Sequence, residues 1–91
     1  MKNEFKMLRG IDVPRAVQGK IFYTCQNYAR EPERVQAKIR RLCREAGGDY
    51  ADELFLFLTT DISWQRITTD YFISEATLCR IRRRFYELWN R

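Results

Sequence analysis

The sequence predicts an all-α fold, a single domain of five helices ending in a trihelical unit, and three observations carry that expectation. Apolar residues recur at three- and four-residue spacing along most of the chain, the period of one helix face. The breaks between these stretches hold residues that start or stop helices, notably Asp12 with Pro14, Pro32, Gly47-Gly48, Asp49 and Ser74. No stretch alternates with period two, and no repeat or low-complexity tract is present. The aromatic-rich segment Phe55 to Thr60 is the one candidate strand, and its flanking caps favour helix.

Residues 1–11 mix charges with isolated apolar side chains and read as a flexible arm, ahead of a helical domain at 12–91. Asp12 is the expected N-cap of the first helix, whose face carries Val17, Ile21, Phe22, Cys25 and Tyr28. Arg30-Glu31-Pro32-Glu33 interrupts it, because proline ends one helix but suits the first turn of the next, where Glu31 and Glu33 complement the helix dipole. The second stripe is Val35, Ile39, Leu42, Cys43 and Ala46, stopped by Gly47-Gly48. Asp49 with Asp52 makes a weak capping box before a deeply buried third helix with Leu54, Phe55, Phe57 and Leu58. After the polar run Thr59 to Ser63, a short fourth helix follows Trp64, Ile67, Thr68 and Tyr71, and a fifth runs from Ser74 to about Trp89.

Composition narrows the function classes. Ninety-one residues with 45% hydrophobic content close one modest core. The formal charge is +5, and thirteen of the seventeen basic residues are arginine, which suits a polyanionic partner through counterion release. Cys25, Cys43 and Cys79 are three cysteines at wide spacing in a chain without histidine, a poor basis for a disulfide scaffold or a zinc site, and no cofactor is expected. No apolar run approaches a membrane span or a signal peptide, so the expected place is the cytoplasm and no membrane partner is expected. The acids Asp49, Asp52, Glu53 and Asp61 have no nucleophile, histidine or phosphate loop beside them, so the chain reads as a binding protein and not an enzyme.

The informative stretch is Ile67 to Ile81. Ile67 and Tyr71 are placed to pack the fourth helix onto Ile73, Leu78 and Ile81, while Ser74 caps the fifth and leaves its first amides facing outward. At about 100° per residue, Leu78, Ile81, Phe85, Leu88 and Trp89 fall on the inner face and Ala76, Cys79, Arg80 and Arg83 on the outer one, with Thr77 and Arg84 at its flank. Arginine can bond a guanine edge bidentately, and the small Ala76 and Cys79 allow close approach. The candidate DNA-contacting set is therefore Ser74, Glu75, Ala76, Thr77, Cys79, Arg80, Arg83, Arg84 and Arg66, with Ser74 and Thr77 at phosphates, Arg80 and Arg83 at base edges, and Arg84 and Arg66 adding attraction. The bland alternative is a solvated terminal helix in which Arg82 pairs with a nearby acid.

With Ile73-Ser74-Glu75-Ala76-Thr77-Leu78, Arg80 to Arg84 and the preceding Ala51 to Thr60 helix in view, residues 49–91 resemble small phage and prophage transcription regulators with a sigma-factor region 4-like helix-turn-helix, of the ArpU and RinA type. The resemblance implies binding to double-stranded DNA and control of phage genes; a homodimer on two half-sites and contact with RNA polymerase are further expected partners. Phe72 departs from the pattern, since glycine often stands there for its left-handed backbone, and a differently shaped turn is the expectation it raises. Two rival readings stand beside this one: an adaptor whose trihelical unit docks a polymerase subunit or phage component, and RNA binding through Arg40, Arg41 and Arg44 of the second helix.

Overall fold

The computed structural model describes residues 7–90. Their five α-helices are α1 (Arg15–Gln26), α2 (Glu33–Gly47), α3 (Ala51–Thr59), α4 (Trp64–Asp70) and α5 (Glu75–Trp89), with single 3-10 turns at Tyr28–Arg30 and Gly48–Tyr50, and no strand among the described residues. The all-α expectation holds. The two 3-10 turns were not foreseen, because each occupies a junction where capping residues alone set the expected boundary.

Helix α2 packs against both α3 and α5, while α1 closes over the remaining sides of α3 and α5. The radius of gyration, 12.1 Å, is that of one closed core for a chain of this length. That core is built from the foreseen stripes: Ile21 and Cys25 of α1, Ile39, Leu42, Cys43 and Ala46 of α2, Leu54 and Leu58 of α3, Ile67 of α4, and Leu78, Ile81 and Phe85 of α5, with Ile73 from the turn. Tyr86 joins it almost wholly buried, although its place on the α5 wheel was not read as inward. Rings close the seams edge to face, Tyr28 on Phe55 at 4.9 Å and Phe57 on Trp64 at 5.4 Å between centroids.

Helix boundaries show where local chemistry overrides the simplest capping rule. Pro14, not Asp12, is the N-cap of α1, and no side chain caps that end. Asp12 stands two residues too early to meet the first amides. Asp49 lies inside the 3-10 turn and Tyr50 takes the cap of α3, so the expected capping box does not form. Gly48 ends α2 at φ +56°, the left-handed conformation that its lack of a Cβ makes inexpensive. At the other end of α3, Gln26 donates to the carbonyls of Leu58 (2.9 Å) and Thr60 (3.3 Å), groups that a helix terminus leaves unpaired. Ser63 caps α4 by accepting from the Arg66 amide at 3.1 Å.

The arm expected at 1–11 is not a loose segment where it is described; residues 1–6 lie outside the described residues. Leu8 and Val13 are buried, and between them the chain is held by Gln18, a side chain with no solvent exposure. Its amide oxygen accepts from Leu8 N (2.7 Å), and its nitrogen donates to Leu8 O (3.1 Å) and Val13 O (2.8 Å). One glutamine thus replaces the partners these backbone groups would otherwise take from water. The period of α1 hid this, because Gln18 sits on the apolar face where a polar residue reads as an interruption.

Two stability predictions follow from this core. Replacing Gln18 with alanine strands three buried backbone groups and is expected to cost about 2–3 kcal/mol, read as a lower urea midpoint with an unchanged slope. Burial pushes the Cys43 thiol and the Tyr86 phenol up to about 12, from ordinary values of 9.0 and 10.0. In both cases the folded chain keeps its proton where the unfolded chain has lost it, so the stability these groups contribute is complete below about pH 9 and declines as pH rises toward 12. Urea midpoints measured from pH 7 to 11 are expected to be level at first and then fall.

Candidate nucleic-acid interface

Helices α4 and α5 are joined by the short turn Tyr71–Ser74. Ser74 is the N-cap of α5, its hydroxyl oxygen accepting from Thr77 N at 3.1 Å and donating to Thr77 Oγ1 at 2.8 Å. The helix begins with Glu75 and Ala76 exposed. Phe72 holds φ at +56°, the only non-glycine residue with positive φ among the described residues, so phenylalanine here takes the left-handed backbone that glycine favours. Tyr71 is 45% exposed instead of packing inward, because α4 ends at Asp70 and Tyr71 has left the helical period.

The outer face of α5 is distributed as its period implies, with one addition from the fold. Ala76, Cys79, Arg80, Arg83 and Arg84 line an open groove of about 750 Å³ whose other wall is the end of α2, Glu45 to Gly48. Ala46, Gly47 and Gly48 add little side-chain bulk to that wall, while the exposed carboxylates of Glu45 and, from α5, Glu87 also line the groove. Arg80 and Arg84 are exposed, whereas Arg83 is half-buried and donates from Nη2 to the Gly10 carbonyl at 3.1 Å. The expected equality of Arg80 and Arg83 therefore does not hold: one guanidinium is open to solvent and the other is partly committed to the chain's own backbone. The sequence gives no hint of this contact, which spans 73 positions.

The remaining arginines divide by what they touch. Arg82 pairs with no acid among the described residues; its guanidinium lies 4.8 Å from the Trp64 ring and 5.9 Å from that of Phe57, and burial lowers its pKa although arginine stays charged in proteins. It belongs to the packing of α5 on α3 and α4. Arg66 forms an exposed pair with Asp70 at 3.2 Å, which offsets the attraction expected of it. On α2, Arg40 is tied to Glu33 and to the Tyr28 hydroxyl, each at 2.6 Å, and Lys38 lies 4.3 Å from the Trp89 ring. Of the three arginines in the RNA reading, Arg41 and Arg44 are the exposed ones.

No group of three or more metal-ligating side chains comes together among the described residues, and no described helix is long and apolar enough to cross a membrane. Cys25 and Cys43 are buried and Cys79 is half-exposed in the groove. The Cys25 thiol is pushed up by burial, then by the neighbouring Cys43 and Glu31. An aromatic disulfide reagent at pH 8 is accordingly expected to titrate one thiol quickly in the folded protein, with Cys79→Ser abolishing that phase and the other two appearing only in denaturant. Comparison with protein-family models, with curated proteins and with solved structures finds no match to this chain.

Proposed function

We propose that this protein binds double-stranded DNA through α4, the Tyr71–Ser74 turn and α5, acting as a helix-turn-helix regulator of the phage or prophage type. The observation that carries the reading is the start of α5: a hydroxyl-capped helix end behind a left-handed turn, with Arg80 and Arg84 exposed on the side away from the core. A helix N-terminus presents N–H groups and partial positive charge to a phosphate, and exposed arginines about one and a half and two and a half turns further supply base-edge and backbone contacts. Thr77 adds a hydroxyl donor. Arg83 takes a secondary role, with the donors left over from Gly10. The net charge of +5 favours the same partner.

The test is a fluorescence-anisotropy titration of mixed-sequence duplex DNA at several salt concentrations. Wild type is expected to bind with affinity that falls steeply with salt. A folded Arg80→Ala, Arg84→Ala variant is expected to lose affinity and to lower the salt slope by about one for each phosphate contact removed. Absence of wild-type binding below about 100 µM at physiological salt would sink the DNA reading and leave the adaptor reading to be pursued with a protein partner.

A further inference from the structure

Phe72 is anomalous on two counts that do not share a cause. Its backbone occupies the left-handed region, which a side chain disfavours and glycine enters freely. Its ring is 90% exposed, the most exposed large hydrophobic side chain among the described residues, so burial within the chain returns nothing for the strain. The neighbouring Tyr71 is also exposed. A residue that the fold would exchange for glycine with profit, and that the fold leaves in water, has its use outside the fold.

Its position says where. Phe72 lies two residues ahead of Ser74, at the end of α5 where the helix amides open. Ala76, Arg80 and Arg84 follow along one side of α5 at four-residue spacing, about 12 Å from first to last. An apolar ring, a helix amino end and a row of exposed arginines together match a nucleic-acid strand, whose sugars and base edges offer apolar surface beside regularly spaced phosphates. Asp70, the acid just before the turn, is engaged by Arg66 at 3.2 Å. We infer that Phe72 is a DNA-contacting residue, its ring lying against the deoxyribose and base-edge surface of the strand that crosses the start of α5. This rests on the DNA-binding reading above and adds to it an apolar contact at the turn itself.

The experiment compares wild type, Phe72→Gly and Phe72→Leu by thermal melting and by anisotropy titration of mixed-sequence duplex over a range of salt. Phe72→Gly relieves the strain, partly offset by a freer unfolded chain, and is expected to melt about 3–5 °C higher. It is expected to bind about tenfold more weakly at every salt concentration, with the salt slope unchanged because a ring neutralises no phosphate. Phe72→Leu, which keeps the strain and part of the apolar surface, is expected to melt like wild type and bind with intermediate affinity. A Phe72→Gly protein that binds as tightly as wild type overturns the inference and leaves the DNA reading standing. A lower melting temperature for Phe72→Gly removes the strain on which the inference rests and overturns it equally. Failure of wild type itself to bind overturns both.

Discussion

The burial of α2 between α3 and α5 is the constraint on which the remaining architecture depends. Ile39, Leu42, Cys43 and Ala46 all come from that one helix, and the buried stripes of α3 and α5 have α2 as their principal neighbour. In a chain of this size a single core leaves little margin, so the whole apolar face of α2 is committed while Arg34, Arg41 and Arg44 stay exposed on the other side. Its end is committed as well. Gly47 is buried with its Cα against Ala51 and Leu54, where a Cβ would sit 3.6 Å from their side chains, and Gly48 turns the chain directly into α3. The same Gly47-Gly48 end then forms the low wall of the groove beside α5, so the packing of the core and the shape of the candidate interface are set by the same residues.

On α5 the division between core and surface is sharper than the count of arginines suggests. The four arginines around Leu78, Ile81 and Phe85 face different surroundings, and only Arg80 and Arg84 are exposed. Arg82 is held between aromatic rings, with its Nε atom buried and without a hydrogen-bond partner among the described residues. The guanidinium plane tolerates this because its charge is delocalised and its ring contacts are attractive. A buried charge of this kind is a weak source of stability, and the face of α5 that meets the core is set by Leu78, Ile81 and Phe85. The direction of the exposed arginines follows from that apolar stripe through the helical period.

How much of this was legible in the sequence varied with the range of the interactions involved. Helix existence and the apolar stripes were readable, because a 3.6-residue period is local and Ile39, Leu54, Leu78 and Phe85 repeat it cleanly. The Ser74 cap was readable for the same reason. The caps assigned to Asp12 and Asp49 failed through competition between neighbours, with Pro14 fixing the start of α1 and a 3-10 turn absorbing Asp49. The Arg83 contact with Gly10 and the placing of Arg82 over Trp64 join elements distant in sequence, which no local period encodes, whereas Gln18 bonds only 5 and 10 positions away and was hidden because those partners are backbone groups outside the helix. Phe72 marks the intermediate case: the position was recognisable as one that favours glycine, while only the backbone reveals that phenylalanine adopts the glycine conformation there.

The contact between Gly10 and Arg83 joins the two ends of the described chain, and this has a bearing on the order in which the molecule assembles. Helical hairpins such as α2 with α3 close short loops and form early, whereas a bond across 73 positions requires the intervening core to be in place. The segment from Leu8 to Val13 is held in both ways, by Gln18 within 5 to 10 positions and by Arg83 from the far end of the described chain. Loss of the Arg83 bond alone leaves Gln18 holding the segment to α1, so the long-range tie and the local one are separable.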